Sequence, residues 1–184
     1  VEGNTVNQAR AEQILANIQF VKGNLDECIQ HAQRARILAS KHYLPARMAV
    51  IDLTEGESWR FKGNFDNAIR LYRSAYDYAE QIDEKVYQTY SVVNIGLVFL
   101  SLGQLEEAKD SFLNGLELSK QWANPDAALG TLCEIHHGLT IIHTEQNRPK
   151  EAWDEVQIAY QIAQRSADPR HRGLINRTLG IVVT

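Results

Sequence analysis

The 184-residue sequence predicts an all-α fold: a right-handed α-solenoid of antiparallel helical hairpins, with about nine helices. Three observations predict it. One phrase is written four times, as "FVKGNLDECIQHAQRA" ending at Ala35, "FKGNFDNAIRLYRSA" at 61–75, "SLGQLEEAKDSFLNG" ending at Gly115 and "EQNRPKEAWDEVQIA" ending at Ala159. Gly23, Gly63 and Gly103 stand forty residues apart, and Asn147 follows forty-four residues on. Glycine and then asparagine best tolerate a turn that demands positive φ. Finally, all four prolines fall at boundaries that this spacing predicts.

Each turn residue lies between two segments of helical period. Before Gly103, Val92, Ile95, Phe99 and Leu102 recur at three- and four-residue steps, and after it Leu105, Ala108, Phe112 and Leu116 do the same. The unit is helix, tight turn, helix. Pro45, Pro125 and Pro169 each fall twenty-two residues after a turn residue, where a second helix must end. Pro149 follows the fourth turn, where a first-turn proline costs a helix little. The repeats therefore run over about 6–44, 45–84, 85–125 and 126–168. The segment 170–184, containing "LINRTLGIVV", reads as the first helix of a fifth. The extra four residues of the third unit fall around "WANPDAALG" and predict a longer loop or a first helix lengthened by a turn.

The third repeat reads Val92, Ile95-Gly96, Phe99, Gly103, Ala108, Phe112 and Gly115, and the second Gly56, Trp59, Gly63, Ala68, Tyr72 and Ala75. The first gives Leu15-Ala16, Gly23, Cys28, Ala32 and Ala35; the fourth gives Leu139, His143, Asn147, Ala152, Val156 and Ala159. This pattern resembles the tetratricopeptide repeat. The small residues at 56, 96, 68, 108 and 152 are expected where two helices approach closely. The units are longer than the common one of roughly 34 residues, and the second helix is expected to run about a turn and a half longer than it does there. The long variant resembles the sensor regions of maltose-regulator-like signalling ATPases, and also adaptor proteins with forty-residue repeats.

Composition narrows the function. The net charge is −4 with acids and bases interleaved, so no basic face for nucleic acid is expected. The longest nearly apolar run, "VVNIGLVFL" at 92–100, is too short to cross a bilayer. No secretion signal is visible at "VEGN", and two cysteines make no disulfide framework, so a cytoplasmic setting is expected. One methionine, at position 48, and a start at Val1 point to a piece of a longer chain. The incomplete fifth unit points the same way, and Ile175, Leu179 and Val182 are expected to be partly uncovered or covered by another molecule.

Catalytic signatures are absent, and no enzyme, cofactor or metal is expected. In "CEIHHGLTIIH", Cys133 and His137 share one helix face and His136 and His143 another, which a metal could use. However, His136 and His143 occupy large packing positions of the repeat, so imidazoles standing in for aromatic bodies explain them better. Glu80, Asp83, Glu106 and Glu107 read as solvated charge on outer helices. Asn176 opens an N-x-T sequon inside a predicted helix, and Cys28 reads as a small core residue.

The resemblance implies a ligand-binding concave side lined by first helices. Mapped here, it comprises Arg10, Gln13 and Asn17; Leu53, Glu57 and Arg60; Tyr90, Asn94 and Leu97; Glu134, His137 and Ile141; and Arg177. Relatives that grip acidic chaperone tails use a clamp of Lys, Asn and Arg. The matching Gln13, Asn17, Glu57, Asn94 and Glu134 offer too few cations, so such tails are not expected. A non-enzymatic scaffold or sensor that binds a protein or peptide segment is expected, within a larger bacterial signalling or transcription-regulatory protein. Small-ligand sensing is the alternative. Self-association as a homodimer through the C-terminal helix is a third.

Overall fold

A computed structural model describes residues 2–182. Among the described residues the chain forms nine α-helices and one short 3-10 helix, with no strand. They are α1 (Glu2–Lys22), α2 (Leu25–Ser40), α3 (Pro45–Phe61), α4 (Phe65–Gln81), α5 (Lys85–Ser101), α6 (Leu105–Ser119), a 3-10 turn (Pro125–Ala128), α7 (Leu129–Glu145), α8 (Pro149–Arg165) and α9 (Pro169–Val182). Contacts divide the chain into two compact units, 1–94 and 95–184, with the boundary inside α5.

The turn residues behave as their spacing predicts. Gly23, Gly63 and Gly103 take φ of 80°, 74° and 72°, and Asn147 takes 55°. In each turn the next amide donates five residues back. Asn24 reaches Gln19, Asn64 reaches Trp59 and Gln104 reaches Phe99 at 2.9 Å, and Arg148 reaches His143 at 2.8 Å. This closure satisfies carbonyls that a helix end leaves orphaned, and it needs a left-handed residue. The prolines differ from expectation in one respect. Pro45, Pro125 and Pro169 open the following helical elements, while the preceding helices end earlier, at Ser40, Ser119 and Arg165. A missing N–H costs nothing at a first helical position.

Unit 1 is built from the hairpins α1–α2 and α3–α4 and the start of α5. Its core includes Ala9, Ala16, Cys28, Ala32, Ala35, Ala39, Met48 and Ile51. The alanines let α2 lie close to α1 and α3. The same need recurs at Gly56, where an added Cβ would fall 2.7 Å from Tyr72 Cε1. Between α2, α3 and α4 lies a polar knot. Arg36 donates to Asp52 Oδ1 through Nε at 2.9 Å and Nη2 at 2.6 Å, and Nη2 also lies 2.7 Å from Glu55 Oε2. Ser74 donates to Asp52 Oδ2 at 2.5 Å, while Gln33 and Trp59 donate to Glu55 Oε1. Both carboxylates are buried. Burial pushes the Asp52 pKa up, against the pull of Arg36 and Ser74.

Unit 2 repeats the scheme. Phe112 of α6 is fully buried and faces glycines on two helices: a Cβ at Gly96 would fall 2.9 Å from Cε1, and one at Gly138 would fall 2.5 Å from Cζ. The four extra residues are taken up by the loop and 3-10 turn before α7, which is 17 residues long, as α3 and α5 are. Trp122 is buried in this loop.

Two expectations are corrected. The length beyond the common unit is not confined to the second helix: α3 and α4 have 17 residues each, and α6 has 15 against 17 in α5. Nor does α9 stand uncovered at Ile175. That side chain is 0% exposed, packed with Cys133 of α7 and Val156, Ala159 and Ala163 of α8. Leu179 and Val182 are partly buried against the same cluster. The stripe of small residues on α8 gives α9 a flat bed inside the same chain.

Candidate binding surface

In unit 1, successive first helices bring five of the sequence-predicted residues to one hollow of about 360 Å³. Asn17 comes from α1, Leu53 and Glu57 from α3, and Tyr90 and Asn94 from α5. Phe20, Val21 and Thr54 complete the lining. These three were not among the predicted residues. Phe20 and Val21 lie three and four positions beyond Asn17, which was the signal available.

The hollow is apolar with polar points. Leu53 is 9% exposed and Val21 is 85% exposed. Thr54 donates to Asn17 Oδ1 at 2.9 Å, which orients the amide. Glu57 accepts from Tyr72 at 2.6 Å and from Arg60 at 3.1 and 2.9 Å. Burial and the Glu57 carboxylate beside it hold the Tyr72 phenol neutral, with its pKa raised. Arg60 thus neutralises Glu57 and stacks on Phe61 with 4.5 Å between guanidinium carbon and ring centroid. Arg10, Gln13 and Arg60 are not part of the lining. Arg10 is exposed, and Gln13 accepts from Arg47 at 2.7 Å.

In unit 2, His137 of α7 shares a 2.7 Å hydrogen bond with Thr178 of α9, so it ties two helices together. Burial, and then the nearby Arg177 charge, push the His137 pKa down. Glu134 and Arg177 are exposed, while Leu97 and Ile141 are partly buried. His136 and His143 are buried at packing positions, and His136 Nδ1 lies 2.6 Å from Glu155 Oε2. Cys28 and Cys133 are buried free thiols. Desolvation pushes Cys133 up to about 11, so its nucleophilic thiolate is scarce near neutrality. Among the described residues no group of three or more His, Cys, Asp or Glu is placed to hold a metal ion, and no helix is long and apolar enough to cross a membrane.

A tetratricopeptide repeat family model matches residues 90–121. No curated protein matches the sequence. Among solved structures, nearly identical TPR-like repeats assigned to a kinesin light chain of Podosopora anserina align over 96% of this chain and 94% of theirs, with 12% identity and a TM-score of 0.60. A chain of the APC/C hetero-tetramer Cut9–Hcn1 aligns over 99% of this chain and 41% of its own, with 13% identity and a TM-score of 0.36, too low to relate the two folds. The chain therefore has the all-α helical-repeat fold of the tetratricopeptide type, with one such repeat matched directly at residues 90–121.

Proposed function

We propose that the chain is a non-enzymatic recognition module that binds a protein segment through the first-helix hollow of unit 1. The observation that carries this reading is the meeting of Asn17, Leu53, Glu57, Tyr90 and Asn94, from three successive helices, around one apolar recess. Leu53, Phe20, Val21 and the Tyr90 ring suit an apolar side chain, and the Asn17 and Asn94 amides suit the peptide groups on either side of it. Arg60, already paired with Glu57, is no free cation for an acidic tail. The other predicted residues, Leu97, Glu134, His137, Ile141 and Arg177, belong to unit 2 and do not line this hollow. Placement in a bacterial signalling or transcription-regulatory protein of the cytoplasm rests on the resemblance of the forty-residue unit.

The test is a peptide selected from a display library against the whole chain. Its affinity is measured by fluorescence anisotropy, with Tyr90→Ala and Asn94→Ala combined. The double variant is expected to keep its helical circular dichroism and bind at least tenfold more weakly; unchanged affinity moves the site elsewhere. The volume of the hollow favours a second reading, small-ligand sensing, since about 300–1,000 Å³ is usual for such sites. A thermal-shift screen with sugars and nucleotides separates the two. A shift that is lost in the same double variant would favour the small ligand.

A further inference from the structure

The charge at the wall of the unit 1 hollow is set by residues that do not line it. Among the described residues of the lining, Glu57 alone is charged. Its carboxylate is held by two side chains outside the lining. Tyr72, buried on α4, donates to Oε1 at 2.6 Å. Arg60, three residues along α3, donates to Oε1 through Nε at 3.1 Å and to Oε2 through Nη2 at 2.9 Å. A carboxylate has about four acceptor sites, so these bonds leave about one, at Oε2, for a neutral donor such as a peptide N–H. The guanidinium is fixed in turn over the Phe61 ring, 4.5 Å from its centroid.

The two charges occur as a set. In the register of the repeat, Glu57 and Arg60 correspond to Asn17 and Phe20, to Leu97 and Leu100, and to Ile141 and Thr144, all of them uncharged. An ion pair three residues apart on one helix stabilises it little, so the consequence of this pair falls on the wall it forms. A lone Glu57 would draw a lysine or arginine side chain into the recess. With Arg60 on it, the wall offers an acceptor and no net charge, and a charge of either sign buried there goes uncompensated. The rest of the lining, Phe20, Val21, Leu53 and Tyr90, then favours an aliphatic side chain. We propose that Arg60 is a built-in counter-ion that restricts the hollow to protein segments with an uncharged, aliphatic anchor residue, and that without it the same hollow takes a cationic anchor. This rests on the reading of the hollow as a peptide site. Arg60 acts through Glu57, as a residue that determines specificity.

The test uses the whole chain and a peptide selected against it by display. The anchor is the peptide residue whose change to alanine matters in the parent and no longer matters once Tyr90→Ala and Asn94→Ala are combined. An aliphatic anchor is expected; a lysine, arginine or acidic one overturns the proposal. Peptides with leucine or lysine at that position are then compared by fluorescence anisotropy. The parent should favour leucine, and Arg60→Met should move the ratio of the two affinities towards lysine by about tenfold or more. Adding Glu57→Gln should return the ratio towards the parent value, and Arg60→Lys, which keeps the charge, should hold it there. Circular dichroism checks the fold; methionine keeps the aliphatic stem of a side chain that is 20% exposed. A structural role for Arg60 would weaken both peptides alike, and an unchanged ratio in Arg60→Met overturns the proposal. Binding that survives the loss of Tyr90 and Asn94 would instead refute the hollow as the site, and this inference with it.

Discussion

Replacing Gly138 by alanine puts the packing of unit 2 to a quantitative test. The new Cβ would lie 2.5 Å from Phe112 Cζ, where ordinary contact begins at 3.4 Å, an overlap of about 0.9 Å. The ring is fully buried and cannot retreat towards α5, because Gly96 leaves room for a hydrogen and no more. Overpacking of this kind costs about 1–3 kcal/mol, and a rigid wall on both sides puts this site near the upper end. Alanine returns about 1 kcal/mol of helix propensity, leaving a net loss of about 2 kcal/mol. For a chain of this size that lowers the melting temperature by about 4–8 °C. Urea midpoints give the free energy. Phe112→Leu should recover part of the loss in the Gly138→Ala background while destabilising the parent, a coupling read from the double-mutant cycle. Gly173→Ala is the control: nothing lies within 4 Å of its added Cβ, so stability should hold or rise. An unchanged or raised midpoint for Gly138→Ala would refute the close-approach argument.

Two other perturbations follow from the polar groups. Arg36→Met leaves Asp52 and Glu55 buried without their cation and should cost about 3 kcal/mol in urea unfolding, the low end of the usual range because Arg36 is partly exposed; adding Asp52→Asn should return part of that loss. The pKa of His137 is depressed on folding, so its contribution is complete above the ordinary value of 6.5 and is lost as pH falls through the lowered one. The melting temperature should therefore drop on acidification below pH 6.5, and His137→Gln should flatten that drop; an identical pH profile in the variant would sink the assignment.

The turns were legible because they rest on local chemistry. A left-handed residue is needed between antiparallel helices, and Gly23, Gly63, Gly103 and Asn147 declare it. The turns between repeats did not declare themselves. Tyr43 and Asp83, also forty residues apart, take φ of 45° and 53° without glycine, and both are exposed, so residue type does not mark them. Gly138 escaped notice since the repeat pattern places its small residue one repeat earlier, at Gly96 of α5, and the second contact of Phe112 exists only once α5, α6 and α7 are stacked. The Arg36–Asp52–Glu55 knot was hidden for a related reason: charges sixteen and nineteen residues apart look like solvated faces until α2 is laid on α3. Of the hollow, the register supplied Asn17, Leu53, Glu57, Tyr90 and Asn94. Phe20 and Val21, three and four positions beyond Asn17 on the same helix, were within its reach and were passed over. The cover of Ile175 was not legible, because the repeat spacing does not show that α7 and α8 together bury it.

The five-residue closures at Gly23, Gly63, Gly103 and Asn147 bear on how the chain acquires its shape. Each of these four hairpins is tied off by a hydrogen bond between residues five apart in sequence, so little loop entropy opposes its formation. Helical pairs of this kind can nucleate at several places during synthesis and zip outward to their neighbours. Whole pairs can then be duplicated or trimmed in evolution without rewriting the rest.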